Sequence, residues 1–318
     1  MTHALQSTLP ALLEPLDAGV VALVEASKSR NTRKAYAADW RHFEVWCLQM
    51  GEESIPARPE TIARYLSALA MDRKPATLQR RLASISIAHQ AAGYPSPAGA
   101  PLVRATMQGI RRTAGMVQRQ AAPLMVEHIR RAVSLLDDSP HGLRDKALLL
   151  LGLAGAFRRS ELVDLDAQSL EFREQGVIVA LRRSKTNQDG QPETKDIGYG
   201  ADEDTCPVRA LRRWLDAAAI TDGPVFRPMT RGGRVLPSRL RGRAVARIVK
   251  AAADRIGLSP EQFSGHSLRA GFVTQSYREG VPEADIMRHT GHRSRAVMGK
   301  YRREGERFLT NFTARVGL

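Results

Sequence analysis

Cysteine is nearly absent from this sequence. Cys47 and Cys206 are the only two among 318 residues, and they stand outside any C-x-x-C or zinc-ligand spacing. That argues against a disulfide framework, a thiol redox pair or a structural zinc, and implies a reducing compartment. Aromatic residues are also scarce, at 5 %, so the core must come from aliphatic side chains and helices packed closely through alanine. Acidic residues run short as well: 33 Asp and Glu face 48 Lys and Arg, a formal charge of +15. Such a surplus points to a polyanionic partner, nucleic acid before an anionic membrane. No apolar run reaches the ~18 residues of a membrane span. The longest, ALLLLGLAGAF at 147–157, suits a buried helix. The opening MTHALQSTLPALLEPLDAGVV is broken by Pro10, Glu14, Pro15 and Asp17 and has no basic lead into an apolar core, so it is expected to be an arm and not a secretory signal.

What is present is unevenly placed. Residues 227–255 hold nine basic side chains and one acidic, Asp254, while 288–303 hold six basic and none acidic. Lys28, Arg30, Arg33 and Lys34 form a third cluster. One such cluster is commonly a solvated helix face; three on separate segments make a distributed nucleic-acid footprint. From Ser27 the pattern becomes helical. NTRKAYAADWRHFEVWCLQMG offers Asn31 or Thr32 as a cap, Tyr36, Trp40, Phe43 and Trp46 at three- and four-residue steps, and Gly51 as a stop. RPETIARYLSALAMD predicts a second helix. KPATLQRRLASISIAHQAAGY predicts a third, with Leu78, Leu82, Ile85 and His89 on one stripe and Arg80 and Arg81 off it. A fourth covers about 101–112. The expected organisation is a flexible arm at 1–26, a helical bundle at 27–113, a linker at 114–123 and a second domain at 124–318. The second domain opens with VEHIRRAVSLL and an apolar helix at 143–157. It continues with GVIVALRRSKTNQDGQPETKDIGYG, whose β-branched run, Asp189-Gly190 turn and second short run predict a β-hairpin. The fold class is mainly α with a small sheet.

Chemistry concentrates late in the chain. In HSLR, His266 and Arg269 are three residues apart and share a helix face. A guanidinium grips a phosphate with parallel hydrogen bonds and keeps its charge, and an imidazole beside it moves protons near neutral pH. Alone this spacing is commonplace. It is joined by His292 in TGH, nine residues before Tyr301, by Arg158 in FRRSEL, three before Glu161, and by Lys185 in the predicted hairpin turn. Arg158 and Glu161 also read as an ordinary helix pair. Taken together, the set suits attack by a phenol on a phosphodiester. Two guanidiniums stabilise the charge that develops on the phosphate. A histidine accepts the phenolic proton, whose reference pKa is about 10, and a lysine returns one to the leaving alkoxide. The phosphotyrosine conserves the bond energy, so rejoining needs no ATP. Tyr277, a competing phenol, is expected to pack in the helix core, and His289 to lie on a helix surface.

The order Arg158, Lys185, His266-x-x-Arg269, Gly-His292, Tyr301 resembles the tyrosine recombinases, the phage integrase family, over about residues 27–310. The helices NTRKAYAADWRHFEVWC and PATLQRRLASISIAHQAAGYPSP and the ending VM-x-x-Y look closest to its Cre-like branch. Ala156-Phe157 departs from the Gly-Leu frequent in the family before the first arginine. The resemblance implies a SAM-like core-binding bundle and an α-rich catalytic domain closing as a clamp on double-stranded DNA with a specific recombination site. Its catalytic set would be Arg158, Glu161, Lys185, His266, Arg269, His292 and the nucleophile Tyr301, with no metal and no cofactor. It further implies a homotetramer in the synaptic complex, a monomer free in solution, a Holliday junction on the pathway, and a cytoplasmic, nucleoid-associated location. Arg33, Lys34, Arg80, Arg81 and Arg243 are the expected DNA contacts. The stripe Phe308, Leu309, Phe312 and Val316 would dock on a neighbouring protomer. A type IB topoisomerase-like enzyme and a non-catalytic DNA-binding protein of the same fold are the alternatives.

Overall fold

The computed structural model describes residues 30–113, 121–181 and 193–305. The arm at 1–26, most of the 114–123 linker, Lys185 and the stripe from Phe308 lie outside the described residues. The chain divides into two compact units, Met1–Gln118 and Arg119–Leu318.

The first unit contains α1 (Arg30–Met50), α2 (Pro59–Leu69), α3 (Pro75–Ala91) and α4 (Pro101–Thr113). Three of these start on proline, whose fixed φ and missing N–H suit the first helical turn. Asn31 and Thr32 lie inside α1 and not ahead of it. Gly51, at φ +67°, ends that helix in the left-handed conformation. The core joins Trp40 and Phe43 of α1, Ile62, Tyr65 and Leu66 of α2, Leu78, Leu82 and Ile85 of α3, and Val103 and Met107 of α4. His89 completes the α3 stripe as a neutral imidazole. Its Nε2 accepts the Ala57 N–H at 2.8 Å, which leaves Nδ1 to donate to the Ile85 carbonyl at 2.8 Å.

The second unit opens with α5 (Val126–Ser134), α6 (Pro140–Ala154) and α7 (Arg159–Asp164). Strands β1 (Leu170–Arg173), β2 (Gly176–Leu181) and β3 (Glu193–Gly198) form an antiparallel sheet in the order β1-β2-β3. Leu170 faces Val179, and Val177 faces Ile197. The predicted hairpin is the β2–β3 pair. The sequence pattern missed β1, because four residues are too few to display alternation. Helices α8 (Pro207–Ala217), α9 (Gly242–Arg255), α10 (Ser267–Arg278), α11 (Glu283–Thr290) and α12 (Arg295–Gly305) follow.

Leucines of α6 occupy the centre of this unit, packed with Val177 and Val179 of the sheet, Leu211 and Trp214 of α8 and Val249 of α9. Helix α6 spans Pro140–Ala154 and not the expected 143–157. Ser139 caps its start by accepting the Gly142 N–H at 3.2 Å. Its end is set by Ala156, a non-glycine residue at φ +46° that breaks the helix just before Arg158. A left-handed alanine costs on the order of 1 kcal/mol, so the turn is held by its surroundings. Helix α10 lies so close to the segment leading into α5 that a Cβ on Gly271 would come within 2.0 Å of the Leu124 carbonyl oxygen.

Candidate active site

The α6–α7 turn, the start of α10, the end of α11, strand β3 and helix α12 converge on one group of side chains. Arg158 is the N-cap residue of α7. Its backbone N–H donates to Glu161 Oε2 at 2.9 Å, its Nη1 donates to Glu161 Oε1, and its Nη2 donates to the Gly291 carbonyl at 3.3 Å. The bland helix pair and the site residue are thus the same arrangement. Glu161, 6 % exposed, anchors both the backbone and the guanidinium. Arg159 is exposed instead.

His266 immediately precedes α10 as its N-cap, and Arg269 sits in the first turn of that helix, entirely buried at 0 % exposure. Arg269 Nη1 donates to the Ala156 carbonyl at 2.8 Å, and Nη2 donates to His292 Nε2 at 3.2 Å. The left-handed turn at Ala156 is therefore what aims a carbonyl at this guanidinium. Arg269 Nε is buried with no hydrogen-bond partner among the described residues. Gly291 caps α11 at φ +66° and swings the chain so that His292 faces Arg269.

Tyr301 on α12 brings its hydroxyl to 3.1 Å from His266 Nε2, and its ring centroid lies 6.2 Å from that of His292. The competing phenol, Tyr277, is buried and donates to Glu283 at 2.8 Å. His289 corrects the surface expectation. Its Nε2 binds the Ala154 carbonyl at 2.8 Å, and its ring stacks on Phe272 with centroids 4.7 Å apart. The ends of α6 and α11 are thereby joined twice, by His289 and by Arg158.

Lys195 of β3 also reaches this cluster, and the sequence reading missed it. It is 4 % exposed, donates to the His289 carbonyl, and lies 5.6 Å from the Phe157 ring centroid. A signal existed: Lys195 shares an inward strand face with Ile197 two residues on. Burial lowers the Lys195 pKa to about 8, with Glu161 pulling the other way and Arg269 adding to the fall. Burial and then Arg158 lower Arg269 to about 10, still charged at neutral pH. Desolvation, Arg269 and Arg158 hold His266 below the usual histidine range and push His292 to about 3. The imidazoles are therefore neutral at pH 7, and the cations Arg158, Arg269 and Lys195 outnumber the nearby carboxylates Glu161 and Glu193. The arrangement suits an anion that gains charge as it reacts, beside a phenol with a basic neighbour.

The expected DNA contacts separate. Arg33, Lys34 and Arg243 are exposed. Arg80 is exposed but holds Asp39 with two hydrogen bonds, at 2.6 and 3.0 Å. Arg81 needs correction: it is 7 % exposed and donates to the Tyr65 hydroxyl at 2.8 Å and to His42 Nδ1 at 2.9 Å, inside the helical bundle. Adjacent residues on a helix point about 100° apart, so Arg80 and Arg81 differ in exposure although both reach Asp39.

Comparison with known proteins places the chain in a family. Residues 123–307 match the phage integrase family. The chain is 44 % identical to the integrase/recombinase xerD homolog of Selenomonas ruminantium, over 91 % of this chain and 86 % of that protein. It is 25 % identical to the cre recombinase of Escherichia phage P1, over 83 % of this chain and 81 % of that one. A solved lambda integrase tetramer bound to a Holliday junction is similar in fold, with a TM-score of 0.60 and 16 % identity, covering 95 % of this chain and 78 % of that one. The chain belongs to the phage integrase family, the tyrosine recombinases.

Proposed function

We propose that this protein is a site-specific DNA recombinase that cuts and rejoins duplex DNA through Tyr301. The observation that carries the reading is the convergence of two guanidiniums, two neutral imidazoles and a phenol, with a buried arginine Nε unpaired among the described residues. The phosphodiester would lie against Arg158 and Arg269, which stabilise its non-bridging oxygens as charge builds. His266 accepts the phenolic proton, and Tyr301 Oη attacks phosphorus. The bond to the 5′ oxygen breaks, that oxygen is protonated by Lys185, and the 3′ phosphate remains on the tyrosine. Attack by a second 5′ hydroxyl reverses the step, so neither a nucleotide nor a metal is consumed. The basic clusters supply a non-specific hold on the duplex. Pairing of two sites through a homotetramer and a Holliday junction follows the same reading, supported by what the lambda integrase structure contains, and a cytoplasmic location belongs to that reading.

The test is to incubate the protein with fragmented DNA, capture covalent adducts, digest with nuclease, and identify the modified peptide while sequencing the DNA. A nucleotide remnant on Tyr301, absent in Tyr301→Phe, supports the proposal. A remnant elsewhere, or adducts that relax plasmids yet never exchange strands between two copies of the captured sequence, overturns it.

A further inference from the structure

His292 is held from both sides, and the two contacts fix where its proton sits. Arg269 Nη2, at 3.2 Å from Nε2, is a donor that cannot accept. Nε2 must therefore offer its lone pair, and the ring proton is on Nδ1. Nδ1 lies 2.7 Å from the hydroxyl of Thr290, which is 1 % exposed. That hydroxyl is also 2.7 Å from the Ile286 carbonyl, an acceptor only. The donors then run one way: His292 Nδ1–H to Thr290 Oγ1, and Thr290 O–H to Ile286 C=O. The reverse order would put the ring proton on Nε2 and set two N–H groups face to face at the arginine.

We propose that Thr290 is a positioning residue for His292, fixing the Nδ1–H tautomer and so presenting the Nε2 lone pair that orients Arg269. This builds on the reading of the cluster as a phosphoryl-transfer site. The low basicity of His292 supports a neutral ring. Alanine at position 290 would suit a helix end but offers Nδ1 no acceptor, and the tautomer would be left unset.

Protein with 15N-labelled histidine, observed by NMR at pH 7, tests this directly, with the His292 signals assigned by their loss in His292→Gln. The wild type should show a protonated Nδ1 and an unprotonated Nε2. Thr290→Val should mix the tautomers and slow adduct formation about tenfold, the scale of one hydrogen bond. The substrate is a nicked duplex carrying the captured sequence, and DNA affinity should stay constant. Thr290→Ser should restore both signals and rate. A wild type carrying its proton on Nε2 overturns the proposal, as does a valine variant with wild-type spectrum and rate. A serine variant as impaired as valine reduces Thr290 to packing. If the valine variant does not fold, the wild-type spectrum and the serine variant decide. The spectrum needs no DNA, so failure to form adducts on any duplex would count against the recombinase reading and leave the tautomer result standing.

Discussion

Arg269 does three things with one side chain: it holds the Ala156 carbonyl, it orients His292, and it keeps Nε available. A lysine supplies charge without the fork. Arg269→Lys should therefore lower the rate of covalent adduct formation by ~10²-fold or more, the scale of removing one oxyanion donor. Single-turnover cleavage of a nicked duplex checks this, and a change within twofold would remove the arginine from the mechanism. Arg33 and Arg81 make a contrasting pair. Arg33 and Lys34 are exposed, so replacing both with alanine should reduce the slope of log affinity against log salt by ~0.9 for each phosphate that is no longer neutralised. Arg81→Met should leave that slope unchanged and instead destabilise the bundle by about 1–3 kcal/mol, because Tyr65 and His42 would be deprived of a buried donor. If Arg81→Met changes the slope and Arg33→Ala does not, the assignment is inverted.

Elements deliver these side chains through their ends. Arg158 and His266 are N-cap residues, and His292 follows the C-cap of α11. Gly291 makes the last of these possible at φ +66°. Gly291→Ala should cost about 1–2 kcal/mol in stability from the left-handed backbone alone, and should impair cleavage further by moving His292. Thermal unfolding and adduct kinetics would show the two effects together; normal cleavage in this variant would mean that His292 tolerates displacement. Much of this was legible in the residues themselves. The spacing of Trp40, Phe43, Leu78, Leu82 and Ile85 marked the buried faces, and proline and glycine punctuated the helices. The ordered motif from Arg158 to Tyr301 named residues that the structure brings together, apart from Lys185, which lies outside the described residues. What stayed hidden depends on contacts between distant segments. Periodicity places Arg81 off the apolar stripe, yet Tyr65 and His42 from two other helices give it a buried partner set. His289 looks like a surface residue until α6 supplies the Ala154 carbonyl 135 positions away. Lys195 shows only as an inward strand position and Thr290 only as the first letter of TGH; their meaning comes from the helix end they hold.

Across the whole molecule, histidines set the acid limit. Burial is the first cause that lowers the pKa of His89, His289 and His292, in both units of the chain. The unfolded chain takes up protons on these groups near pH 6.5, while the folded chain does not. Their contribution is therefore complete above that pH and is lost as pH falls below it, by up to ~1.4 kcal/mol per pH unit for each group. Urea unfolding should show a midpoint that drops between pH 7 and pH 5, and a flat response would contradict the neutral imidazoles. Among the described residues no helix is long and apolar enough to cross a membrane. Finally, α12 is seated through Met298 in a small cluster with Val273, Tyr277 and Ile286, which meets the large core around α6 at Phe272. The Tyr301 phenol consequently rides on a helix whose detachment leaves the main hydrophobic mass intact. Amide hydrogens of α12 should exchange with deuterium well ahead of those of α6, and cutting would be withheld or licensed by docking one short helix.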